Sequence, residues 1–190
     1  METSYYEEAE LHGLGIQRYG RNISISRRAA LYAPERITLG DNVRIDDFCI
    51  LSGNIQIGSY VHIAAYCGLF GQEERISIGD FAGLSSRVLI YTYSDDYVFG
   101  VSLTNPTVPD RFRVKFDKGP VIVDKHVIVG AGTVILPNTT IGMGSAVGAL
   151  SLVRGHVDSW TICRGNPAKP VGKRRSDRIL ALEKQLLNGS

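Results

Sequence analysis

"IVDKHVIVGAGTVILPNTTIGMGSAVGALSLV", residues 122–153, carries an aliphatic residue at every sixth position: Val123, Val129, Ile135, Ile141, Val147 and Val153. A period of six fits neither an α-helix at 3.6 nor a continuous strand at 2. It fits a short strand followed by a turn, repeated. The same step runs through Leu39, Ile45, Leu51, Ile57, Ile63 and Leu69, and again through Ile78, Leu84 and Ile90. A small residue often follows, as at Gly40, Gly58, Ala64, Gly130, Gly142 and Gly148. Four residues on stands a small, β-branched or thiol side chain, as at Val43, Cys49, Cys67, Ser94, Thr133, Ser145 and Ser151. Positions i and i+4 are expected to face a common core, with glycine relieving the corner. Three such strands per coil make a triangular prism, a parallel β-solenoid.

The arithmetic locates two interruptions. Leu39 to Ile57 and Val123 to Ile141 each span 18 residues, one coil. Ile57 to Ile78 spans 21, which places a short insertion in "FGQEERISIG" (70–79). Ile78 to Val123 spans 45, which places a long one in "YTYSDDYVFGVSLTNPTVPDRFRVKF" (91–116), a loop over about 95–118. The ends read differently. "SYYEEAELHGLGI" (4–16) predicts a short helix stopped by Gly13, and Ile179, Leu182 and Leu186 recur at helical spacing. Basic residues crowd the start of that second helix, against its dipole, and call for an acidic neighbour. Such ends cap a solenoid's open edges. One domain results: a cap over 1–23, the solenoid over 24–165, and a C-terminal segment over 166–190.

The formal net charge of +2 gives no argument for a nucleic-acid partner. No apolar run is long enough to span a bilayer. "METSYYEEAELHG" (1–13) is acidic and lacks a signal peptide's apolar stretch, so a cytoplasmic location is expected. Three cysteines without a CxxC pair argue against a disulfide framework or a zinc knuckle. Cys49 and Cys67, 18 residues apart, are expected to stack in the core.

The stretch 122–153 and the terminal "ICRGNPAKPVG" (162–172) resemble the left-handed β-helix, hexapeptide-repeat acyltransferases. That family includes maltose and galactoside O-acetyltransferases, serine acetyltransferase and bacterial sugar acetyltransferases. The resemblance implies an all-β, left-handed prism, assembled as a homotrimer, with acetyl-CoA as co-substrate in the groove between two prisms. Late-coil backbone at Gly130, Ala131, Ala149 and Ser151 would hold the pantetheine arm. Asn166, Pro167 and Ala168 would close the groove, and Lys169, Lys173, Arg174 and Arg175 would meet phosphates. No metal is implied: the γ-class carbonic anhydrases share the prism, but their close histidine pair is missing here, and a catalytic zinc needs three protein ligands.

In the sugar O-acetyltransferases a catalytic histidine stands at the root of the long loop. The aligned stretch here is Ile90-Tyr91-Thr92-Tyr93-Ser94-Asp95, and Asp95 takes the histidine's place. A hydroxyl acceptor needs a base to remove its proton as it attacks the thioester, whereas an amine needs less help. The solenoid places Asp95 at the third corner of its coil, above the short insertion. Glu73 or Glu74 is expected to approach it, with Asp96 adjacent, and like charges would strengthen it as a base. His62 is the second base candidate, placed at another corner and able to meet Asp95 only across a trimer interface, or else a plain interface histidine; His126 and His156 are read as outward and mid-strand. Arg111, Arg113 and Lys115 are placed to meet a nucleotide diphosphate or acidic sugar. The reading is a CoA-dependent acetyltransferase acting on a sugar hydroxyl, in surface polysaccharide or nucleotide-sugar metabolism. The alternatives are N-acetylation of a nucleotide-linked amino sugar and a non-catalytic assembly prism.

Overall fold

In a computed structural model, described over residues 4–96 and 98–189, the chain winds into a parallel β-helix of about seven turns. One face is built of short parallel strands, among them Ser24–Ile25, Arg44–Ile45, His62–Ile63, Gly83–Leu84, Ile128–Val129 and Ala146–Val147. The other two faces share the longer strands Ile50–Ile57 and Gly68–Ile78, which continue round a corner.

Parallel register stacks Leu51 on Leu69 and Leu69 on Ile90; on the next face Ile78 pairs with Val123, and Val123 with Ile141. All the hexad positions are buried, each contributing roughly 1.5–3 kcal/mol of apolar transfer. The i+4 positions named above are buried too, except Ser94, where the frame breaks. Buried hydroxyls are satisfied by corner carbonyls: Ser151 Oγ donates to Gly148 O at 2.7 Å and Thr133 Oγ1 to the same carbonyl at 3.1 Å. Cys49 and Cys67 are buried in adjacent coils, with thiols directed at the carbonyls of Ala64 and Ser85.

The corners lie at i+2 and i+3, not beside the glycines. Residue i+3 adopts left-handed backbone in coil after coil: Phe48 (φ 60°), Tyr60 (59°), Tyr66 (65°), Phe81 (59°), Arg87 (63°), His126 (59°), Leu150 (56°) and Trp160 (56°). That conformation is unfavourable for residues with a Cβ. Stacking compensates, with ring centroids 5.0 Å apart for Phe48–Tyr66, 4.8 Å for Tyr60–Phe81 and 5.0 Å for Phe81–His126. Two histidine expectations change accordingly. His126 sits at a corner and is buried, and His62 lies in a strand, outward and half exposed. The glycines serve a different purpose. A Cβ on Gly130 would stand 2.4 Å from the Ala149 nitrogen of the next coil.

The short insertion is absorbed in the strand Gly68–Ile78, whose register shifts where Gln72 opposes Gly53. The long one leaves the prism as an antiparallel hairpin, Tyr93–Asp95 against Phe116–Lys118, and the coil resumes where Gly119 N–H donates to Thr92 O at 3.0 Å. At the N-terminal end, α1 (Glu8–Leu11) continues as a 3-10 turn through Gly13 and stops at Gly15, whose φ of 72° reverses the chain. Its Leu11 is buried over the open core. At the other end Lys169–Lys173 folds back antiparallel on Thr161–Arg164, and α2 (Asp177–Asn188) follows with no buried residue. No described helix is long and apolar enough to cross a membrane.

Candidate active site

The hairpin root gathers the chemistry. Pairing of Asp95 with Phe116 brings the loop's return limb back beside Asp95. Arg113 Nη2 stands 3.4 Å from Asp95 Oδ1 and 3.2 Å from Tyr93 Oη, while the Asn105 N–H donates to Asp95 Oδ2 at 3.3 Å. Arg113 Nη1 reaches Asp110 at 3.5 Å, and its guanidinium lies 5.3 Å from the Phe116 centroid. The Arg113 Nε is buried without a hydrogen-bond partner among the described residues. Such an orphan costs about 1–3 kcal/mol. Burial pushes the Tyr93 phenol up.

Beside Asp95 opens a cavity of about 270 Å³, floored by Val98, Phe99 and Phe116 and rimmed by Lys115 and Arg154. Arg154 is held by Asp117 at 3.0 Å. Its neighbour Asp96 does not face it as a free carboxylate. The Asp96 oxygens accept the N–H groups of Val98 (3.2 Å), Phe99 (2.8 Å) and Val101 (2.9 Å), fixing the loop's first turn. Those bonds, Val101's foremost, hold its carboxyl below the usual carboxylate range. Glu73 and Glu74 line a separate cavity with Tyr93, Asp110 and Arg113. The expectation is corrected for Asp96, whose carboxylate is spent on the loop's backbone. The charge that faces Asp95 is a cation, because the hairpin delivers Arg113 there. Arg111 lies exposed over Phe112.

His62 belongs to another cluster, on the strand Arg44–Ile45 and its neighbour. Its Nε2 lies 2.8 Å from Asp46 Oδ2, and Asp46 Oδ1 accepts from Arg44 Nε (2.7 Å) and Tyr5 Oη (2.8 Å). Burial alone would raise the Asp46 carboxyl, but the bonds from Arg44, His62 and Tyr5 outweigh it and hold it low. The chain does not bring His62 into the Asp95 hairpin.

A family model described as bacterial transferase hexapeptide (six repeats) matches residues 36–71. A dTDP-4-amino-4,6-dideoxy-D-glucose acyltransferase of Escherichia coli is 40% identical, over 95% of this chain and 93% of its own. The chain belongs to the hexapeptide-repeat acyltransferases. A solved variant of AntD, an N-acyltransferase from Bacillus cereus, holds dTDP-4-amino-4,6-dideoxyglucose and coenzyme A; it is 44% identical, covers 100% of both chains and superposes with a TM-score of 0.96. AntD has also been solved with dTDP and 3-hydroxybutyryl-CoA, at 45% identity, 99% and 98% coverage and a TM-score of 0.94. A putative lipopolysaccharide O-acetyltransferase, WbbJ of Escherichia coli strain K12, is 31% identical over 73% of this chain and 69% of its own.

As an acyltransferase of this family, the chain presents late coils that differ in part from expectation. Ala131, Ala149 and Asn166 are exposed, and Gly130 and Ala168 partly so. The Ser151 side chain is buried and inward, its Oγ also accepting the Gly165 N–H at 3.0 Å. Arg174 is engaged by backbone carbonyls, whereas Lys173 is exposed and makes one hydrogen bond. Lys173 Nζ donates to Thr161 Oγ1 at 3.0 Å, and Arg174 Nη1 donates to the carbonyls of His126 (2.8 Å) and Gly144 (2.9 Å). Burial pulls the Arg174 guanidinium down. Lys169 and Arg175 remain exposed. Tyr93, Asn105 and Asp46 went unnoticed in the sequence, because a backbone N–H and a coil-to-coil contact leave no local pattern.

Proposed function

We propose that this chain transfers an acyl group from a coenzyme A thioester to the amino group of a nucleotide-linked 4-amino sugar. The observation that carries the reading is full-length similarity, at a TM-score of 0.96, to an N-acyltransferase solved with that kind of acceptor and coenzyme A. The site chemistry agrees. Where related O-acetyltransferases carry a histidine, this hairpin offers a carboxylate held by Arg113 and Asn105. The amine lone pair attacks the thioester carbonyl carbon, a C–N bond forms and the C–S bond breaks. The nitrogen gives up a proton, and the thiolate leaves as the thiol. Asp95 accepts an N–H of the amine and so aims its lone pair; His62 is left outside the chemistry. Lys169 and Arg175 are the candidates for the phosphates of coenzyme A.

A trimer completes the groove. Its support is an outward ladder, Ala30, Ile50, Gly68, Leu89, Val134 and Leu152, one position per coil on a single face and apolar at every step but the side-chain-free Gly68. The adjoining corner exposes Phe48, Tyr66 and Leu150. Both substrates belong to the cytoplasm, where the enzyme is proposed to act.

The test is thiol release with acetyl-CoA and with 3-hydroxybutyryl-CoA, using dTDP-4-amino-4,6-dideoxyglucose and its 4-hydroxy counterpart. Mass spectrometry is expected to find an amide on the amino sugar alone. An ester on the hydroxyl sugar, with the amino sugar inert, would replace this reading with O-acylation. Light scattering is expected to give three chains per particle at micromolar concentration.

A further inference from the structure

We infer that Arg113 is a positioning residue that holds the Asp95 carboxylate in the orientation that receives the acceptor amine. The inference rests on the amine-acylation reading above and gives Arg113 a role other than contact with the substrate. Among the described residues, Arg113 is the cation within ion-pair distance of Asp95. Its side chain is only 14% exposed, unlike the neighbouring Arg111. Three contacts fix it: the Tyr93 hydroxyl at 3.2 Å, Asp95 at 3.4 Å and Asp110 at 3.5 Å. Stacking on Phe116 fixes its plane, and Phe116 is itself the register partner of Asp95.

The two Asp95 oxygens are thus each met by one donor from the loop, Arg113 on Oδ1 and the Asn105 N–H on Oδ2. A carboxylate has about four lone-pair directions, so two stay open toward the adjoining cavity. The side chain is one-third exposed. Without Arg113 nothing on the Oδ1 side restrains its rotation. A planar fork suits this junction, because one group meets a phenol and two carboxylates at once; a lysine ammonium reproduces the charge but not the geometry. The same contacts close the loop's return limb onto the prism, so folding of the loop and orientation of Asp95 are one event.

A double-mutant cycle separates positioning from structural bracing. The enzyme is assayed with 3-hydroxybutyryl-CoA and dTDP-4-amino-4,6-dideoxyglucose. Arg113→Met is expected to lower kcat/KM for the amino sugar roughly 10- to 100-fold, the range of one charged hydrogen bond, leaving the KM for the thioester unchanged. In an Asp95→Asn background the same change is expected to cost less than about threefold, and Arg113→Lys should recover part of the single-variant loss. Additive losses in the double variant, or equal increases in both KM values, would overturn the inference. Should Arg113→Met fail to fold, Tyr93→Phe weakens the same clamp and enters the same cycle. If the wild type acylates only a hydroxyl sugar, the functional reading fails, and the cycle run on that acceptor still reports whether Arg113 acts through Asp95.

Discussion

His126 and Glu183, 57 residues apart, meet through an Nε2–Oε2 contact of 2.8 Å. Lys125 pairs with the other Glu183 oxygen. The lysine bond first, then the histidine bond, holds the Glu183 carboxyl below the usual glutamate range. This network tethers α2, which has no buried residue, to the coil at Lys125 and His126. A carboxyl whose pKa is lowered by folding contributes stability above its unfolded value, and that stability is lost as pH falls through the folded value. The protection of amides in 177–188, taken relative to their intrinsic exchange rate at each pH, is therefore expected to fall as pH drops below about 4.3. Glu183→Gln should remove the acid step and cost less than about 1 kcal/mol at pH 7. Protection of wild-type α2 that is indifferent to acid would contradict this.

Asp95→Asn removes the carboxylate's charge and replaces one of its two acceptor oxygens with a donor, without changing the side chain's size. The expected loss in kcat is roughly 10- to 100-fold, with unchanged affinity for the thioester by calorimetry. His62→Ala, which empties a contact with Asp46 just past the strand Arg44–Ile45, is expected to change kcat less than about threefold. The opposite ranking would move the chemistry to His62.

Gly144 occupies a left-handed corner at φ 71°, and a Cβ there would stand 2.4 Å from the Trp160 ring. Gly144→Ala is expected to lower stability by about 1–3 kcal/mol through overpacking. Trp160→Ala should relieve most of that steric part, so the double variant is expected to be less impaired than the sum. Chemical denaturation of the four proteins measures it.

The basic cluster before α2 divides in two. Arg174→Ala strands the carbonyls of His126 and Gly144 and is expected to cost about 1–3 kcal/mol. Lys169→Ala and Arg175→Ala should leave the melting temperature unchanged and raise the KM for the thioester severalfold, more at low salt than at high. A thermal shift assay and a KM series at two ionic strengths separate the groups.

The stacking of Val123 on Ile141 was readable from an 18-residue spacing, since in a solenoid each coil repeats the contacts of the one before. Period six therefore yielded the core, the strand register and the sites of both insertions. The left-handed corners were not readable: Asn42, Phe48, Arg87 and Leu150 share only a backbone conformation, and no common side-chain chemistry announces it. The place of Asp95 is legible in the sequence, but its partner Arg113 is not. Stacking arithmetic put Glu73 and Glu74 beneath it, whereas the loop abandons the repeat and returns antiparallel, setting Arg113 against it from 18 residues away. Likewise Arg174 reads as a free charge in the sequence, and only the return of the chain end along the last coil sets it against two carbonyls. Periodic sequence determined what periodic hydrogen bonding builds; the site lies where the period stops, and there only the tertiary path of the loop decides which side chains meet.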